Sequence, residues 1–158
     1  MKKLIIIAAI IAFIPALAIA VEKPSSKETK KVMDYYNIGK GGGAVLVDYT
    51  LCQEMGKEEE SKNECIRPFS GNDIKAGDEV YLWMNFMIPV DDTANIYLSY
   101  TRNNRIRRTQ EIKLNSAFRY RTWKKIITDK AGQWTIQIFQ ELEDKDIDLG
   151  SITYAVKE

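Results

Sequence analysis

The 158-residue chain contains no histidine, only two cysteines and only four prolines. Without histidine the commonest general base and metal ligand is missing, and with it the Ser-His and Cys-His nucleophile pairs. Two cysteines and no histidine do not complete a four-ligand zinc site. Gly-x-Ser-x-Gly, the penicillin-binding Ser-x-x-Lys motif and an EF-hand loop are all absent. The run Gly39-Lys-Gly-Gly-Gly43 lacks the Gly-Lys-Ser/Thr ending of a phosphate cradle and reads as a linker or bulge. Two carboxylates suffice to hydrolyse a glycoside, but nothing singles out a pair. Glu54, Glu58, Glu59, Glu60 and Glu64 fall in a polar loop, and Asp144, Asp146 and Asp148 fall in a turn. The expectation is a protein that is not an enzyme and carries no cofactor and no metal.

A long apolar run is also missing. Met1-Lys2-Lys3 is followed by an apolar stretch that stops at Pro15, short of the roughly 20 residues needed to span a bilayer. Ala18 and Ala20 then precede Val21, so residues 1–20 read as a signal peptide cleaved after Ala20; the alternative is a membrane anchor. No cysteine follows that site, so no bacterial lipid anchor is indicated. Removing those 20 residues from 158 leaves 138, the size of one domain. The segment takes Lys2 and Lys3 with it, leaving 21 basic against 22 acidic residues, a balance that points to neither nucleic acid nor an anionic membrane. The membrane enters only through the signal peptide before cleavage.

An apolar share of 45% with eight Tyr, five Phe and three Trp is that of a folding chain. Residues 21–31 carry Pro24, Ser, Lys and Glu without apolar periodicity and are expected to be a flexible leader, with a single domain over 32–158. In an exported chain Cys52 and Cys65 are expected to form a disulfide, closing the acidic loop 53–64; free thiols or a pair of metal ligands are the alternatives. That loop is read as solvated surface, against a docking site for a basic partner or a cation.

Strands are read from alternation. Val45, Val47, Tyr49 and Leu51 share one face of a first strand. Residues 79–88 form a central strand, with Val80, Leu82, Met84, Phe86 and Ile88 on one side and Tyr81, Trp83, Asn85 and Met87 on the other, ended by Pro89. Ile96, Leu98 and Tyr100 mark a next strand, Asn103-Asn104 a tight turn, residues 106–114 the return, and residues 118–127 a further strand. Gly132 opens a closing hairpin in which Trp134, Ile136 and Ile138 point one way and Ile152, Tyr154 and Val156 answer them. Two groups are candidate binding residues. Arg102, Arg105, Arg107 and Arg108 surround the Asn103-Asn104 turn, where guanidinium forks suit planar anions; alternatively they guard an exposed hairpin edge and pair with acidic loops. Tyr81, Trp83 and Tyr97, joined by Trp123, would present rings on one sheet face, able to stack sugars or hold an extended peptide; alternatively they are covered as ordinary core.

Arg121-Thr-Trp123-Lys-Lys125, Gly132-Gln-Trp134-Thr-Ile and Leu149-Gly150 followed by Ile152, Tyr154 and Val156 resemble a bacterial family of immunoglobulin-like β-sandwich domains of unknown function. That family has Arg-Thr-Trp and Gly-x-Trp motifs near its C-terminus. Weaker likeness extends upstream through residues 47–52, Arg67-Pro68-Phe69 and Val80-Tyr-Leu-Trp83. The family's middle strand tends to carry a His-x-Trp element where this chain has Tyr97-Leu-Ser99, so no role of that histidine transfers. The resemblance implies a fold and brings no activity. The expectation is an all-β, antiparallel, immunoglobulin-like sandwich of about seven or eight strands. It is expected to be a non-catalytic exported module, periplasmic or secreted, binding a protein or a cell-envelope polymer. The alternatives are an assembly protein oligomerising through edge strands, or an inhibitor of a secreted hydrolase.

Overall fold

The computed structural model describes residues 24–37, 42–69, 74–142 and 145–158, apart from the side chains of Val90 and Asp91. The expected signal peptide and residues 39–41 lie outside the described residues.

The first element is a helix, α1 (Ser26–Asn37). It starts at a capping box: the Ser25 N–H donates to Glu28 Oε2 at 2.7 Å and the Glu28 N–H donates to Ser25 Oγ at 3.2 Å. The leader expected to be flexible over 21–31 is thus helical from Ser26, and the helix crosses the expected domain start at residue 32. Residues 32–38 are open in sequence to a short strand or a helical turn, and the helix is the outcome; only Tyr35 among its residues is buried, which leaves no apolar stripe to read.

Among the described residues seven strands follow: β1 (Val45–Met55), β2 (Cys65–Pro68), β3 (Ile74–Lys75), β4 (Tyr81–Arg102), β5 (Arg105–Lys125), β6 (Gly132–Leu142) and β7 (Lys145–Lys157). They are joined in the order β2-β1-β4-β6-β7-β3, with β5 on the remaining side of β4. All pairings are antiparallel except the short β3–β7 contact, which is parallel. The all-β sandwich is therefore the fold, with one parallel pair at its margin.

The organising element is β4. The strands expected over 79–88 and 96–100 are parts of one strand of 22 residues that starts at Tyr81, and those expected over 106–114 and 118–127 are parts of the 21 residues of β5, which ends at Lys125. Pro89 does not end the strand. It sits where β4 changes neighbours: pairing with β1 stops at Met87, pairing with β6 starts at Ile96, and the β4–β5 register skips from Ile88 to Thr93. A residue without an N–H costs least at such a gap. The long hairpin therefore serves both arms of the sandwich, one built with β1 and β2, the other with β6 and β7.

Both arms feed a single core. Leu82, Met84, Phe86 and Ile88 from the first half of β4 join Ile96, Leu98 and Tyr100 from the second, together with Trp134, Ile136, Ile138 and Tyr154 of the closing hairpin. Those four residues of β6 and β7 lie where alternation predicts. On β1 the prediction shifts: Leu46, rather than Val45 or Val47, joins Tyr49 and Leu51 at this core. A register irregularity between Leu46 and Asp48 inserts one residue opposite β4, and an inserted residue inverts the alternation on either side of it.

The end of α1 is fastened by Gln140, a fully buried amide. Its Oε1 accepts from the Ala44 N–H at 2.9 Å, while its Nε2 donates to the Ala44 carbonyl at 3.1 Å and to the Tyr35 hydroxyl at 2.6 Å. Gly43 makes this approach possible: at φ 73° a side chain would be strained, and a Cβ would lie 2.6 Å from Gln140 Oε1.

Candidate interaction surface

The outer face of the first arm is occupied by the protein's own chain. Cys52 and Cys65 are bonded, with Cα atoms 5.8 Å apart, and clip β1 to β2. The loop between them folds back so that Trp83 Nε1 donates to the Asn63 carbonyl at 2.7 Å, and Glu64 pairs with Arg121. Further along, Glu28 of α1 receives Arg119 Nη2 at 3.1 Å and Asn85 Nδ2 at 3.3 Å. Glu28 is held below the ordinary carboxylate range, first by the Ser25 N–H, with the Ser25 hydroxyl and Arg119 adding to it against a smaller opposing effect of burial.

The aromatic group expected on one face divides. Tyr81 and Trp123 meet edge to face, with ring centroids 5.0 Å apart, and Trp83 lies opposite Trp123 in register. Tyr97 does not join them. It lies on the second half of the same strand, hence on the other arm, stacked on Phe139 at 5.4 Å with its hydroxyl donating to Glu141 at 3.3 Å. The expected grouping assumed that Tyr97 sat on a neighbouring strand; the continuity of β4 carries it away instead. Of the three rings on the first arm, Trp83 is tied under the disulfide loop, and Trp123, on the outermost strand, is 38% exposed.

The arginine group divides as well. The Asn103-Asn104 turn has φ 52° and 58°, the paired positive values of a type I′ hairpin. Arg102 faces inward, its guanidinium carbon 5.4 Å from the centroid of Trp134 and its Nη1 donating to the Ala131 carbonyl at 3.2 Å, so it buttresses the closing hairpin. Arg105, Arg107 and Arg108 stay exposed on β5.

What unites these three is the strand they occupy. β5 pairs only with β4, so among the described residues its other edge is open. Its 21 residues contain eight basic side chains and one acid, Glu111. Arg119, Arg121 and Lys125 are taken up by Glu28, Glu64 and Glu79. Arg105, Arg107, Arg108, Lys113 and Lys124 have no acidic partner among the described residues. The first half of β5 therefore presents an open backbone edge with unpaired cations on it. Sequence reading found the arginines and missed Lys113 and Lys124, because only the pairing pattern puts all five on one free edge. A cleft of about 580 Å³ is lined by Arg108 and Gln110 from the first half of β5 and by Gly77 and residues 125–129.

No family model matches the chain, and no curated protein matches it. Among solved structures, the crystal structure of the C-terminal domain of wzt is similar, at 12% sequence identity over 75% of each chain with a TM-score of 0.49.

Proposed function

We propose that this protein is a non-catalytic exported module that binds an acidic, extended segment of a partner protein by adding it as a further strand to β5. The observation that carries this reading is the combination on one strand of an edge that is open and five cations that lack an acidic partner among the described residues. Strand addition draws affinity from main-chain hydrogen bonds and selectivity from side chains at alternate positions. A basic edge supplies the second ingredient for an acidic partner. Lys and Arg on an edge also deter pairing with identical copies, and two β5 edges brought together would each bring five cations without an acidic partner among the described residues, against the single acid Glu111, to the same interface. That charge weighs against the alternative in which the protein assembles with itself through this edge. Export is supported by the signal-like N-terminus and by the disulfide, which belongs in an oxidising compartment.

The test is fluorescence anisotropy with labelled eight-residue peptides of alternating Val and Thr carrying either Glu or Lys substitutions. The Glu peptide should bind, more weakly as NaCl rises, and the Lys peptide should not. With each exposed pair contributing about 0.5 kcal/mol, a variant replacing Arg105, Arg107 and Lys113 by Ala should bind roughly tenfold more weakly. Equal binding by this variant and the parent would remove β5 from the interface. Binding of an anionic polysaccharide with no binding of the Glu peptide would replace the protein partner by an envelope polymer.

A further inference from the structure

Resting on strand addition at β5, we infer that the cleft beside Arg108 is a specificity pocket for one carboxylate side chain of the added segment. An added strand lies about 4.8 Å from its neighbour and directs alternate side chains to the inner side of the sandwich. On β5 the inner positions in this region are Arg108 and Gln110, opposite Tyr100 and Leu98, and both line the cleft.

The cleft's polar groups divide into those already engaged and those still available. Thr128 donates its hydroxyl to the Asp78 carbonyl at 2.6 Å, its carbonyl accepts from the Gly77 N–H at 2.9 Å, and Lys125 is paired with Glu79 at 3.1 Å. Among the described residues Arg108 has no ionic partner and the Gln110 side chain makes no hydrogen bond. Directly across from Arg108, Tyr100 is fully buried and its hydroxyl has no hydrogen-bond partner, the one such hydroxyl in the described core. Tyr100 does not itself line the cleft, but an orphaned buried hydroxyl on the residue paired with Arg108 is unusual, since buried polar groups are nearly always satisfied.

The chemistry favours a carboxylate over a phosphate or sulfate. A guanidinium fork accepts either, but Asp129 stands on the rim, so a dianion is repelled more strongly than a monoanion. Ile126 and Ile127 line the same cleft and suit the aliphatic stem of a Glu side chain better than a fully hydrated oxyanion.

The experiment is a cycle on the full mature chain with its disulfide intact. One eight-residue peptide of alternating Val and Thr carries a single central Glu, and its counterpart carries Gln. Anisotropy titrations are run on the parent, Arg108→Gln and Lys113→Gln, with thermal melts confirming that both variants fold. The parent should prefer Glu over Gln by roughly tenfold, the size of one charge-assisted hydrogen-bonded pair. Arg108→Gln should abolish that preference by bringing the Glu peptide down to the affinity of the Gln peptide, and Lys113→Gln should keep it. If Arg108→Gln retains the preference, the pocket is refuted while strand addition stands. If neither peptide binds the parent, strand addition itself fails and the pocket fails with it. If an oligogalacturonate binds in an Arg108-dependent way and the Glu peptide does not, the carboxylate site is kept and the peptide occupant is overturned.

Discussion

Removing the disulfide by Cys52→Ala with Cys65→Ala should destabilise the protein by about 3 kcal/mol while leaving its fold in place. The two residues are 13 apart in sequence, and the chain-entropy estimate for a loop of that size is about 3 kcal/mol at 25 °C. The folded loop keeps its other restraints: Gly56 N–H on the Glu64 carbonyl at 2.9 Å, Trp83 Nε1 on the Asn63 carbonyl, and Glu64 on Arg121. The loss therefore falls mainly on the unfolded ensemble, which becomes freer, and not on native contacts. For a domain of this size the unfolding entropy is about 0.3 kcal/mol/K, so the melting midpoint should drop by about 10 °C. Urea denaturation followed by circular dichroism measures the change directly, and the parent protein melted in reductant should approach the variant. A second readout separates unfolded-state from folded-state effects: the emission of Trp83, held under the loop, should hardly move in the native variant at 20 °C. A destabilisation below about 1 kcal/mol, or a large red shift of native emission, would refute this account of what the bond does.

Gln140→Leu removes three hydrogen bonds, strands the Ala44 main chain and leaves the Tyr35 hydroxyl only its bond to the Gly42 carbonyl, so we expect a loss of about 2 to 3 kcal/mol in chemical denaturation and faster hydrogen exchange in α1. Tyr100→Phe deletes a buried hydroxyl that has no partner in the free protein; its melting midpoint should stay level or rise, corresponding to about 1 kcal/mol of stabilisation, and a clear fall would show that the hydroxyl is satisfied after all. Glu28 has a folded pKa below its ordinary 4.5, so its contribution to stability is complete above that value and disappears as pH falls through the lower, folded one. Melts between pH 6 and pH 3 should show this loss in the parent and a shallower pH dependence in Glu28→Gln; identical profiles would exclude Glu28 as the acid-sensitive clasp of α1.

Much of the fold can be read from local chemistry. Side chains of a strand alternate because of covalent geometry alone, and so the core faces of Leu82 through Ile88, Ile96 through Tyr100, and the Trp134 and Tyr154 strands follow from residue order. The Asn103-Asn104 turn is legible for the same reason, since asparagine tolerates the positive φ that a type I′ turn needs. The Cys52–Cys65 bond follows from the expectation of an oxidising compartment and from there being only two cysteines. Even the miss on β1 is local in cause, because one inserted residue reverses the phase of alternation and nothing in Val45-Leu46-Val47-Asp48 announces where it goes.

The candidate site is less legible, because it depends on which strands become neighbours. Whether Tyr97 stands beside Trp83 or beside Phe139 turns on β4 continuing through Pro89 and exchanging β1 for β6. Whether Arg102 is a ligand group or a brace for Trp134 turns on where the closing hairpin docks. Helix α1 is invisible as an apolar pattern because polar contacts hold it, Glu28 to Arg119 at one end and Tyr35 to Gln140 at the other, 91 and 105 residues away along the chain. Residue order thus determines which side of each strand is apolar and where the tight turns fall, since both are properties of a few consecutive residues. Tertiary structure alone decides that, among the described residues, β5 is left with an open edge on which Arg105, Arg107, Arg108, Lys113 and Lys124 stand without acidic partners, because an edge exists only where no other strand has paired.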